Sequence, residues 1–160
     1  MSAMRAKAPV VISNRQRALK VPAALVRRAA VAALCYGRPP AGRVSVVIIA
    51  DARMRDLNRR FARVDGTTDV LAFDLSEGPS AGDSVAGEVI VNADVARTEA
   101  RRHRRSAVDE LILYVIHGML HLGGYRDHTP LQRARMRAAE RAVTRALKST
   151  PRGNAQCRRG

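Results

Sequence analysis

The stretch "ELILYVIHGMLHLGGYRDH" (residues 110–128) sets the frame for the rest of the chain. Leu111 to Leu122 is apolar on nearly every side, the pattern of a helix buried in a core rather than laid on its surface. Ser106 and Asp109 form a Ser-x-x-Asp capping pattern ahead of it, and Gly123-Gly124 supply C-terminal stop signals. Three of the chain's four histidines fall within the last twelve residues of this stretch. His117 and His121 are four apart, so on a helix their rings share one face, one turn apart. Two unpartnered imidazoles inside a buried helix would be costly. A metal ion removes that cost, and beyond the glycines the chain can return a third ligand to the same point. Three imidazoles would leave a fourth position for water, the arrangement of a catalytic zinc rather than a structural one. A water held there is the expected nucleophile.

Outward from this helix, strands and helices interleave without strict alternation. "VVIS" (10–13) reads as a short strand, and residues 22–36 as an Ala-rich helix opened by Pro22. "VSVVIIA" (44–50) is β-branched and apolar, as a buried central strand should be. Asp51 can cap a helix running to Arg63, with Met54, Leu57 and Phe61 at helical spacing. Strands follow at 69–74 and 86–94, separated only by the loop 75–84, so they can pair antiparallel in an otherwise mixed sheet. Asn92 or Asp94 can cap the next helix, 95–104. A last helix spans 131–147, with Met136, Ala139, Val143 and Leu147 inward. The expected fold is α+β: one domain over 1–148, a mixed sheet of about four strands packed with about five helices. The metal site is expected at the end of the buried central helix, and 149–160 as a disordered basic tail.

The chain has 160 residues, 46% of them apolar and only 3% aromatic, so its core is built from Val, Ile, Leu and Ala. Against 14 acids stand 29 basic residues, a net charge of +15, and all but three of the basic residues are arginine. A guanidinium fork suits phosphate. The first 40 residues hold eight basic residues and no acid, while Asp51 to Ala96 holds nine acids against five arginines. A basic shell around an acidic middle points to a polyanion, most plausibly nucleic acid. Arg97, Arg101, Arg102 and Arg105 are the candidate RNA-binding side chains. His103, among them, reads as an ordinary surface residue. Cys35 and Cys157 are too few and too far apart for a disulfide framework, which suits a reducing compartment. No run approaches the length of a membrane span, no secretory leader is evident, and the expected location is cytoplasmic.

Gly118 stands where the H-E-x-x-H peptidases carry their general-base glutamate, which argues against a peptidase. "HGMLHLGGYRDH" instead resembles the H-G-x-L-H-L-x-G-Y-D-H motif of the YbeY-type metal-dependent endoribonucleases, bacterial proteins implicated in ribosomal RNA maturation. "LNRRF" (57–61), "TDVLAFD" (68–74) and "AGEVIVN" (86–92) are similar to that family's other conserved segments, in the same order. Met136 and Glu140 also match. The resemblance covers roughly residues 45–145. It implies a zinc-dependent endoribonuclease with one Zn2+ per chain, acting on single-stranded RNA in ribosomal precursors or subunits. The alternative is an RNA- or ribosome-binding assembly factor whose metal is mainly structural.

Two departures bear on the site. Arg126 is one residue more than the motif has, so the position six after His121 holds Asp127, and His128 lies one further on. With the Gly-Gly loop absorbing the extra residue His128 is the expected third ligand, and Asp127 is the alternative. The family's active-site arginine is matched by Ala62. Arg60 and Arg63 are the candidates to replace it, although a one-residue shift on a helix rotates a side chain by about 100°.

Overall fold

The computed structural model describes residues 9–38, 40–76 and 85–149. Strands β1 (Val10–Asn14), β2 (Arg43–Ile49), β3 (Val70–Asp74) and β4 (Val85–Asn92) form one mixed sheet in the order β1-β2-β4-β3. The first three neighbours run parallel, while β3 is antiparallel to β4, with Val70 opposite Val91 and Ala72 opposite Val89. The five helices are α1 (Ala23–Leu34), α2 (Asp51–Leu57), α3 (Ala93–His103), α4 (Ala107–Leu122) and α5 (Pro130–Ser149). The antiparallel pair, the mixed sheet and the buried helix are as the sequence predicts.

The period of two along each strand sorts the core into two layers. Val44, Val46, Ile48, Val89 and Val91 join α1, α3, α4 and α5 in the larger cluster. Val47, Ile49 and Ile90 face the other way, onto Met54 and Leu57 of α2 with Leu71 and Phe73. Helix α4 lies at the centre of the larger layer: Leu111, Val115, Met119 and Leu120 are all 0% exposed. Each such side chain contributes about 1.5–3 kcal/mol by leaving water. At Gly118 the helix lies directly on the sheet, where a Cβ would meet Val89 Cγ1 at 2.5 Å and Val70 Cγ2 at 3.0 Å. Gly118 is therefore where the backbone of α4 comes down onto β4 and β3.

Both predicted caps form. Asn92 accepts from the N–H groups of Asp94 and Val95, and Ser106 from that of Asp109. The helix begun at Asp51 differs: it passes after Leu57 into a π-helical turn, Asn58–Ala62, and Arg63 then takes a left-handed conformation with φ 53°. The buried Asn58 side chain donates to Gly66 O at 3.1 Å, tying that turn to the following loop. Asp51 is the first residue of α2 and caps nothing. Its carboxylate instead accepts from Thr67 and from Asn92 Nδ2. Cys35 is disulfide-bonded, and the chain's second cysteine, Cys157, lies outside the described residues. Residues 77–84 of the predicted loop and 150–160 of the predicted tail also lie outside the described residues, whereas Ser149 ends α5.

Candidate metal centre

The last turns of α4 bring the two helical histidines together as their spacing requires. His117 Nε2 and His121 Nε2 are 3.0 Å apart, with the rings nearly perpendicular. Each ring is held by its other nitrogen. His121 Nδ1 lies 3.0 Å from the carbonyl of Tyr125; a carbonyl only accepts, so Nδ1 carries the proton and Nε2 a bare lone pair. His117 Nδ1 lies 2.6 Å from Glu140 Oε1 on α5 and donates to that carboxylate. Asp127 Oδ2 completes the group, 3.7 Å from His117 Nε2 and 3.6 Å from His121 Nε2.

With both Nδ1 atoms donating, neutral imidazoles turn two Nε2 lone pairs and a carboxylate oxygen towards one another, an arrangement suited to a cation at its centre. Metal–ligand bonds of the usual zinc lengths in tetrahedral array place ligand atoms roughly 3.4 Å apart. The observed separations of 3.0, 3.6 and 3.7 Å bracket that value. Two imidazoles and a carboxylate also form a donor set that catalytic zinc sites use, with a fourth position left over. The side chains of His117, His121 and Asp127 are 25%, 28% and 37% exposed, so the group opens to solvent on one side. Burial acts to lower the pKa of His117, but the Glu140 hydrogen bond and the charges of Glu140, Asp69 and Asp127 outweigh it, and the pKa is raised. For His121 burial and then the neighbouring His117 prevail, and the pKa is lowered.

Asp127, the alternative, is the third member of the converging group, and the expected His128 is not part of it. Gly124 has φ 97°, a left-handed conformation that glycine adopts at little cost. It lets Tyr125 N bond Leu120 O while the Tyr125 carbonyl turns back to His121. The chain then runs without helical structure through 125–127, and exposure alternates: Tyr125 and Asp127 are half-buried, Arg126 and His128 exposed. Contacts from α5 fix this register. Gln132 Oε1 accepts from the N–H groups of His128 and Thr129, and Arg133 donates to the carbonyls of Asp127 and His128. His128 is near enough to lower the pKa of His121, but it lies outside the converging group.

The predicted arginines are dispersed. Arg60 is paired with Asp56 at 3.3 Å on the π turn. Among the described residues neither Arg60 nor Arg63 has a hydrogen bond or ion pair to the histidines or Asp127. On α3, Arg97 and Arg102 pair with Asp94 and Glu99, and just beyond it Arg105 pairs with the buried Glu110, while Arg101 lies on the exposed surface. His103 also lies 3.9 Å from Glu110. The positioning role of Glu140 is the main feature that sequence reasoning missed. Its signal was present: Glu140 is the one acid in the basic helix Pro130–Ser149, on the inward face with Met136 and Val143.

Comparison with known proteins bears on the chain as a whole. A family profile described as endoribonuclease YbeY matches residues 11–148. Proteins named endoribonuclease YbeY include one from Chloroflexus aggregans, 42% identical over 81% of this chain and 90% of its own. Another, from Pelotomaculum thermopropionicum, is 35% identical over 89% of this chain and 99% of its own. A relative from Anaeromyxobacter sp. is 40% identical over 74% of this chain, but the match spans only 61% of that protein's length. Among solved structures, a solution structure from Thermotoga maritima superimposes with a TM-score of 0.56 at 23% identity, covering 91% of this chain and 95% of that one. That likeness speaks to the fold.

Proposed function

From the premise that this chain belongs to the endoribonuclease YbeY family, we propose that it is a zinc-dependent endoribonuclease that cleaves single-stranded segments of ribosomal RNA precursors. The ligands are His117, His121 and Asp127. The observation that carries this reading is the pair of Nε2 lone pairs facing each other at 3.0 Å beside a carboxylate. When bound, the ion supplies Lewis acidity at a phosphate oxygen and acidifies water near neutral pH.

The chain's own groups do the rest. Glu140 holds the proton on His117 Nδ1, and the Tyr125 carbonyl holds it on His121 Nδ1, so both Nε2 atoms stay available and the rings stay oriented. The half-open face of the group admits a phosphodiester. The +15 charge concentrates polyanions at the surface, with Arg101 the best placed of the α3 arginines to meet a phosphate. Arg63 is the better candidate to stabilise charge on the transferring phosphate, because Arg60 is engaged by Asp56. Gly118, packed on Val89, leaves no room for the carboxylate a peptidase would need there. Ribosomal RNA as substrate goes with a cytoplasmic location, and among the described residues no helix is long and apolar enough to cross a membrane.

Ala62 at the position of the family's arginine favours a second reading, an RNA-binding assembly factor with a mainly structural metal and little nuclease activity. Metal-loaded protein incubated with single-stranded ribosomal RNA fragments, with and without chelator, separates the two. Cleavage that depends on metal and vanishes in His121→Ala supports the nuclease. Cleavage unchanged in that variant refutes it, and RNA binding without metal-dependent cleavage selects the second reading.

A further inference from the structure

Beside the metal group, on the same loop, is a cavity of about 300 Å3 lined by Gly123, Gly124, Tyr125, Arg126, Gln132 and Arg135. We propose that it is a phosphate-binding subsite that seats a backbone phosphate of the RNA next to the one being cleaved; the proposal rests on the nuclease reading above.

The lining chemistry is one-sided. Arg126 and Arg135 are the charged residues of the lining, and among the described residues no carboxylate borders the cavity. Gln132 spends its carbonyl oxygen on the N–H groups of His128 and Thr129, so only its NH2 donors remain for a ligand. Tyr125 turns its hydroxyl hydrogen to the Tyr36 carbonyl, and the other polar side chains of the lining are hydrogen-bond donors, two of them cationic, which select an anion with several acceptor oxygens. Many arginines elsewhere are already satisfied, as with Arg55 on Asp51, Arg102 on Glu99 and Arg105 on Glu110. Among the described residues neither Arg126 nor Arg135 pairs with a carboxylate. The volume lies at the low end of small-ligand sites, enough for a phosphate with its sugar and too small for a duplex.

Position ties the cavity to the metal. Its wall residue Tyr125 holds His121 through the carbonyl, and Arg126 immediately precedes Asp127. The alternation that turns Asp127 to the metal group turns Arg126 away from it. A strand crossing this loop can therefore present one phosphate to the metal group and the next to Arg126 and Arg135. Arg126, the extra residue in the motif, thereby acquires a role of its own.

The test is binding of a fluorescein-labelled oligouridylate to wild type, Arg126→Gln, Arg135→Gln and the double variant, in chelator, with uridine 5′-monophosphate as competitor. Charge-assisted bonds of this kind make the expected loss roughly 10- to 100-fold for the double variant. The slope of log affinity against log salt should fall by roughly 0.7 for the one phosphate contact removed. Arg126→Lys should recover part of the loss, and Arg137→Gln, on the same helix, should change affinity less than about threefold. Metal content near one per chain in every variant shows that the neighbouring site is intact. Equal affinity in wild type and double variant overturns the subsite while leaving the nuclease reading untouched. Lost affinity in the double variant together with no metal-dependent cleavage by wild type upholds the subsite and sinks the nuclease reading. No binding of either probe to wild type overturns the subsite outright.

Discussion

Replacing Gly118 with alanine adds one methyl group where α4 touches the sheet. That carbon would lie 2.5 Å from Val89 Cγ1, 3.0 Å from Val70 Cγ2 and 3.1 Å from Val89 Cγ2. Ordinary carbon–carbon contact begins near 3.5 Å, so helix and sheet must part by about 1 Å. Val89 is fully buried on a central strand and has nowhere to turn. Overpacking of this size costs about 1–3 kcal/mol. Alanine recovers about 1 kcal/mol through its better helix propensity. The net expectation is a loss of about 0–2 kcal/mol, where each kcal/mol lowers the Tm of a chain this long by roughly 2–4 °C. His117 adjoins Gly118, so metal affinity should fall as well. A double-mutant cycle with Val89→Ala isolates the contact. Removing the methyls that clash should make the double variant more stable than the two single losses sum to, with a coupling of about 1–2 kcal/mol. Thermal and urea unfolding of the four proteins read this directly. A Gly118→Ala protein more stable than wild type, with no coupling to Val89, would refute the close packing of α4 on β4.

Three further perturbations follow from the same contacts. Glu140→Gln keeps an acceptor for His117 Nδ1–H but removes its charge, so metal affinity should drop about 10- to 100-fold. Competition with a chromophoric chelator measures this, and unchanged affinity would show that the Glu140 charge is irrelevant to the site. Asn92 is 0% exposed, donates to Asp51, Thr67 and Thr68 and caps α3, so Asn92→Ala should cost about 2–4 kcal/mol in urea unfolding. A loss under about 0.5 kcal/mol would deny the network that weight. Burial acts to raise the pKa of Asp51, but hydrogen bonds from Thr67, Arg55 and Asn92 hold it below the ordinary 3.8. The stability it contributes is therefore present above that value and lost as pH falls through the depressed one. Asp51→Asn should flatten the acid limb of a melting curve against pH, and an unaltered limb would remove Asp51 as its source.

How much of this was legible in the sequence varies with the distance over which each feature is decided. The buried helix, its Ser106 cap and the paired histidines follow from local periodicity, and the structure keeps all three. The antiparallel β3–β4 pair was legible because only a loop separates the two strands. Which of Asp127 and His128 joins the converging group was not. It turns on the left-handed Gly124 and on contacts from Gln132 and Arg133, residues of the next helix whose placement no local pattern carries. The π turn after Leu57 was hidden for a similar reason, since Met54, Leu57 and Phe61 satisfy helical spacing either way. Charge runs were the weakest guide. Composition counts arginines but not their partners, and three of the four chosen side chains, Arg97 and Arg102 on α3 and Arg105 just beyond it, are paired with carboxylates.

The ligand set is the central claim, and elemental analysis of purified variants tests it most directly. His117→Ala, His121→Ala and Asp127→Ala should each lose the bound metal, whereas His128→Ala should retain about one ion per chain, with zinc as the element found. A His128→Ala protein emptied of metal beside an Asp127→Ala protein that keeps it would contradict the account.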